Sequence, residues 1–171
     1  MIYPIVRYGQ PVLEKKAAAI TEFDTPDLAM LVDDMFESMY AAKGVGLAAP
    51  QIGIAKRIAV IDIASGEDPG QKVVLINPEI IDRQGSQTGE EGCLSIPTFR
   101  EPVTRAQKVT VRARKVNGEV FEMTGEDLLA RALLHETDHL NGTLYISHIS
   151  PLKRDLIRRK IRKLQKANEW G

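Results

Sequence analysis

The chain has 171 residues, with 23 Lys+Arg against 23 Asp+Glu, three His and one Cys, a size that suits one domain able to bury a core without disulfide staples. One cysteine cannot close an internal disulfide, which excludes a stapled secreted scaffold and points to a reducing, cytoplasmic setting. Residues 1–7 lack the charged start and apolar run of a signal peptide, no apolar stretch approaches the ~20 residues that span a bilayer, and a formal net charge of zero argues at first against a polyanionic partner.

In chain order, Leu28, Leu31, Val32, Met35 and Met39 recur at three- and four-residue spacing and predict a helix over 28–43. Gly44 stands where a left-handed cap is wanted. Residues 57–63 read as a buried strand. A second is expected over 72–76, stopped by Asn77-Pro78, and a third over 79–82. Residues 108–116 alternate Val109, Val111 and Ala113 with Thr110, Arg112 and Arg114, the pattern of a half-solvated antiparallel strand. Asn117-Gly118 suits a two-residue hairpin turn, with the chain returning over 119–123. Thr124 with Asp127 resembles a capping box opening a helix that ends at Asn141-Gly142. Ser150-Pro151 starts a last helix, for which Leu152, Leu156, Ile157, Ile161 and Leu164 supply an apolar stripe. No repeat or linker interrupts this order, so the reading is one α+β domain.

The central helix carries His135-Glu136-Thr137-Asp138-His139. Imidazoles at i and i+4 lie one above the other and can grip one ion, and a glutamate beside them can take a proton from water. An open catalytic site wants a third protein ligand. Position 145 holds Tyr, Glu169 and Asp155 lie far downstream, and Cys93 in the turn-rich stretch 90–95 is the better donor. Residues 44–49 fit a dinucleotide fingerprint, but a helix precedes them and Pro50 blocks one after them. Next to the amide of Gln51, those glycines suit a substrate groove.

Three blocks together, Gly44-Val45-Gly46-Leu47-Ala48-Ala49-Pro50-Gln51, Glu91-Gly92-Cys93-Leu94-Ser95 and His135–Gly142, resemble the peptide deformylase motifs GxGLAAPQ, EGCLS and QHExDHLxG. The resemblance covers nearly the whole chain. It implies a single domain over 1–171, antiparallel or mixed sheets packed around the HExxH helix, and a C-terminal basic helix over 151–168. It implies that Cys93, His135 and His139 hold one divalent ion with water as fourth ligand; ferrous iron is the expected native metal, with zinc, nickel or cobalt able to substitute. Glu136 would activate the water, and the Gln51 amide with the Leu94 N–H would receive the charge that develops on the formyl oxygen of an N-formylmethionyl nascent peptide. Formate and a free N-terminus would be the products.

The same resemblance lays an extended substrate between Val45-Gly46 and Glu91-Gly92, puts the methionine side chain among Val45, Leu128 and Ala132, and places Arg100 by the peptide end. Two positions depart from the family. Leu134 stands where a glutamine precedes the first histidine, and Arg131 where an aliphatic residue is common. Arg131 could narrow or charge the pocket rim; the expectation is that it snorkels outward to water.

Two rivals are defined by what they would need. A zincin-like endopeptidase lacks its downstream ligand here. A structural-zinc, RNA-binding module would need His148, expected in a strand, as a fourth ligand. The charge balance is also segregated: residues 151–171 carry eight bases against two acids, a net +6, and residues 1–150 a net −6. A basic helix of this kind implies, by the same resemblance, docking of a monomeric enzyme on the ribosome near the exit of the nascent chain.

Overall fold

Thr25 accepts a hydrogen bond from the Leu28 N–H, with Pro26 at the first helical position, and α1 (Pro26–Ala41) begins there. The computed structural model describes residues 1–171. After α1 come β1 (Gly46–Ala48), β2 (Ile58–Ile61), β3 (Val73–Gln84), β4 (Gln87–Cys93), β5 (Ile96–Arg105), β6 (Lys108–Arg114), β7 (Val120–Glu126), α2 (Asp127–Leu140) and α3 (Pro151–Lys166). Strands β1-β2-β3-β6-β7 form one antiparallel sheet, and β4 with β5 a separate hairpin. The architecture is α+β, as the sequence implies.

Each face of the large sheet is covered by the apolar stripe of one helix. Leu28, Val32, Met35, Phe36 and Met39 of α1 pack on Leu47, Ile58, Val60 and Ile76. Ala130, Leu133 and Leu134 of α2 pack on Ile61, Leu75, Val109, Val111 and Ala113. The helix that carries the HExxH motif is thus held between the sheet and the β4–β5 hairpin. Leu134 belongs to the sheet-facing side, so its departure from the family motif enlarges the core. A third cluster joins Ile157 and Ile161 of α3 to Leu13, Ile96, Val103, Tyr145 and Trp170.

Several local expectations are corrected. Asn77-Pro78 does not stop a strand: β3 runs through it with a register jump between Ile76 and Glu79. Proline has no N–H to lose at a bulge, and the Asn77 side chain brackets the Ile20 backbone at 2.9 Å on both sides. The left-handed residue after α1 is Lys43, with φ 59°, and not Gly44; Gly44 is instead crowded by the Leu94 side chain. The β6–β7 connection is a three-residue loop, since Gly118 N–H bonds to Lys115 O and Gly118 has φ 90°, the turn-plus-bulge alternative to a two-residue hairpin. Thr124 caps nothing: it lies in β7, its hydroxyl 2.8 Å from that of Thr110, and Glu126 precedes α2 without a side-chain cap. Cross-strand pairing outcompetes the local capping signal. In α3, Ile157 and Ile161 are buried as expected, but Leu152 and Leu156 stay exposed. No helix is long and apolar enough to cross a membrane.

Candidate metal centre

On α2, His135 and His139 project one turn apart, and their Nε2 atoms stand 3.2 Å from each other. Cys93 ends β4, where the Cys93–Ile96 pair closes the hairpin over a two-residue turn. That turn brings Sγ to 3.3 Å from His139 Nε2. All three donor atoms lie within 4.8 Å of one another. Two nitrogens and a sulfur bound tetrahedrally at ~2.0–2.1 and ~2.3 Å would stand roughly 3.3–3.6 Å apart, so the donor set fits a single first-row divalent ion. Burial, with His135 next to it, holds His139 well below its ordinary pKa; His135 is held well above its own, the Glu136 charge and the Cys93 and Glu91 bonds overriding burial.

Glu136 is buried, and Oε1 of its carboxylate has no hydrogen-bond partner. The carboxylate lies against Gly46, where a Cβ would overlap it; the glycine is required by this close approach. Burial pushes Glu136 up to about 7, with the charge of His135 opposing. Gln51, in the short helix Ala49–Ile52, is oriented by its own backbone: Oε1 accepts the Ala48 N–H at 3.0 Å. Its Nε2 therefore points to the centre, 3.3 Å from Ser95 Oγ and 3.5 Å from Cys93 Sγ. The Leu94 N–H, in the turn after Cys93, has no backbone acceptor.

Behind the histidines lies a buried ionic network that the sequence reading missed. Glu91 Oε1 is 2.8 Å from His135 Nδ1. Arg105 clamps both Glu91 oxygens at 2.9 Å and donates to Asp138 Oδ2 at 2.7 Å. Burial acts to raise the Glu91 pKa, but the Arg105 and His135 bonds override it and hold the carboxyl well below its usual range. A charged Glu91 on Nδ1 fixes the ring and would leave Nε2 free for an ion held with Cys93 and His139. The alternation of β5 marks Arg105 only as one side of a strand; its partners come from β4 and α2, 14 and 33 residues away.

Arg131 is a correction. It does not turn out to water but is buried, with Nη1 on Glu91 Oε2 at 2.6 Å and on Val103 O at 3.0 Å, because the carboxylate and carbonyl offer a guanidinium partners that an aliphatic neighbour would not. His148 is corrected too. It lies in the short helix Tyr145–His148, tied to Asp138 at 2.9 Å, and does not join the three donors. Tyr145 is buried and stacks on His135 with ring centroids 6.4 Å apart.

A cavity of about 750 Å³ opens beside the centre. The structure brings to its wall every residue expected of the groove: Val45, Gly46, Gln51, Glu91, Gly92, Leu94, Arg100, Leu128 and Ala132, with Cys93, His135 and Glu136. Val45 and Leu128 stay partly exposed on its rim, and Arg100 reaches Glu90 at 3.6 Å. β1 is an edge strand of the large sheet, and β4 pairs only with β5, so unpaired strand edges border the groove.

A cysteine sulfur and two imidazoles beside a buried, unpaired carboxylate, on an α+β frame with an open groove, define a metal-dependent hydrolase. The chain belongs to the polypeptide deformylase family, whose model matches residues 2–155. It is 63% identical to the peptide deformylase of Acidobacterium capsulatum over 170 residues, covering 99% of each chain. Its fold matches the peptide deformylase of Legionella pneumophila with a TM-score of 0.89 at 46% identity, covering 98% of each chain. A peptide deformylase from Synechococcus elongatus, solved in complex with actinonin, matches with a TM-score of 0.86 at 36% identity over 92% of this chain and 86% of that one.

Proposed function

We propose that residues 1–171 act as one catalytic domain that removes the formyl group from N-formylmethionyl nascent peptides in the cytoplasm, releasing formate. The observation that carries this reading is the buried Glu136 carboxylate with an unpartnered oxygen, next to three converging metal-donor atoms. Held by Cys93, His135 and His139, a divalent ion supplies, when bound, a positive charge that acidifies water and polarises a carbonyl. Ferrous iron is the proposed native ion; thiolate with imidazole also suits zinc, nickel and cobalt.

The remaining steps belong to the chain. The substrate lies extended along the free edges of β1 and β4, bonded through its backbone near Val45-Gly46 and Glu91-Gly92, with Arg100 at its peptide end. Its first side chain enters the cavity among Val45, Leu128 and Ala132. Glu136 takes a proton from the attacking water, a role that a carboxylate raised towards neutral pH suits. As charge develops on the formyl oxygen, Gln51 Nε2 and the Leu94 N–H donate to it from positions set before the reaction. Glu136 then returns the proton to the leaving amine.

The basic face of α3 is the proposed ribosome contact, made by a monomer: Lys153, Arg159, Lys160, Arg162, Lys163 and Lys166 are exposed along it, and such a face neutralises phosphates. The test is formate release from formyl-Met-Ala-Ser under anaerobic conditions, with and without added ferrous iron. Turnover that depends on ferrous iron supports the reading. Cleavage of internal bonds in unformylated peptides, with no formate released, would replace it with the endopeptidase.

A further inference from the structure

Arg131 spends both Nη1 protons on Glu91 and Val103 O, and its Nε and Nη2 have no protein partner. Neither nitrogen is sealed from solvent, although the residue as a whole is buried, and Arg131 lines the same cavity as Leu128, Ala132 and His135. Space for the guanidinium comes from β4. Gly89 of β4 has no side chain, and a Cβ there would already stand 3.4 Å from Nη2 and 3.7 Å from Cζ of Arg131. Any larger residue at 89 would fill the volume over the free edge. The part of the cavity beside Leu128 and Ala132 is thus given charged donors that protein groups leave unused.

Unmade N–H bonds of a buried guanidinium are satisfied by water or by the occupant of the cavity. A thioether sulfur is a weak acceptor and a sulfoxide oxygen a strong one, whereas a hydrocarbon chain of the same length offers nothing. We propose that Arg131, seated in the gap over Gly89, is a specificity-determining residue whose free guanidinium edge selects N-formyl peptides with a hydrogen-bond acceptor on the first side chain. The proposal rests on the deformylase reading above. It extends the accepted class from methionine to its sulfoxide, at the expense of hydrocarbon isosteres.

The experiment compares kcat/KM for three tripeptides, formyl-methionyl-, formyl-norleucyl- and formyl-(methionine sulfoxide)-Ala-Ser, in the metal-loaded protein and its Arg131→Leu and Gly89→Val variants. The sulfoxide-to-norleucine ratio should fall about ten- to hundredfold in Arg131→Leu, the scale of a hydrogen bond to a charged group. It should fall in the same direction in Gly89→Val, which leaves the Arg131–Glu91 pair in place and so decides the matter if Arg131→Leu does not fold. A variant that slows all three substrates by one common factor would overturn the proposal, because Arg131 would then act only through Glu91 on His135. An unchanged ratio overturns it as well. Failure of the unsubstituted protein to release formate from any of the three would instead overturn the deformylase reading.

Discussion

α2 and α3 are both amphipathic helices of similar length, yet they use polar residues in opposite ways. α2 buries nine of its fourteen residues, among them Arg131, Glu136, Thr137 and His139; α3 buries only Ile157 and Ile161 and leaves most of its bases in solvent. A buried charge must be paired or it costs several kcal/mol: on α2, Arg131 is paired with Glu91 and Val103 O at fixed distances, while Glu136 keeps one oxygen without a hydrogen-bond partner. An exposed charge is screened and individually worth little. Loss of function should therefore be steep and residue-specific on α2, and shallow, additive and salt-dependent on α3.

The sharpest break in that comparison is Glu136→Ala. Formate release should fall by about 10²–10⁴ from loss of general acid–base catalysis alone, while metal content, measured by elemental analysis, stays at one ion per chain. Gln51→Ala, which removes one donor to the formyl oxygen, should lower kcat by about 10²–10³. Arg105→Leu leaves Glu91 and Asp138 without the guanidinium they share and should cost roughly 3–5 kcal/mol in urea unfolding. On α3, reversing Lys160 and Lys163 to Glu should leave tripeptide turnover unchanged and weaken ribosome co-sedimentation, the more so at low salt. Reversal is a cleaner probe than truncation, because Ile157, Ile161 and Trp170 belong to the core.

A pH series sharpens the same contrast away from the site. Asp62, directly after β2, is buried and accepts bonds from the Tyr40 hydroxyl and from the Ala64 and Gly66 N–H groups. Burial acts to raise its pKa, but these bonds hold it below the ordinary 3.8. A carboxyl with a depressed folded pKa contributes stability that is complete above its unfolded value and is lost as pH falls through the folded one. Asp62→Asn should be less stable than the unsubstituted protein at pH 7, by about 1–3 kcal/mol, and the gap should narrow below pH ~4. An equal gap at pH 3 and pH 7 would contradict the assignment.

The paired imidazoles were legible in the sequence because their geometry is local: i,i+4 spacing puts His135 and His139 one turn apart whatever surrounds the helix; Cys93, far upstream, was legible only through its motif. The helices were legible for a similar reason, their stripes having the period of the element. The β4–β5 hairpin was not, since Gln87–Cys93 is glycine- and acid-rich and has no clean alternation. Its pairing is decided by β5 and by the helix below. The Glu91–Arg105–Asp138 network escaped because its members come from three elements. Arg131 was misread for the same reason: its partner is 40 residues away and the space it fills is the absence of a side chain at Gly89.

The central claim is that Cys93, His135 and His139 form one ion-holding set. Its most direct test is metal content per chain after anaerobic purification, for the unsubstituted protein and for Cys93→Ala. One ion per chain in the first and far less in the second is the expected result. Stoichiometric metal in Cys93→Ala would remove the thiolate from the set and contradict the account.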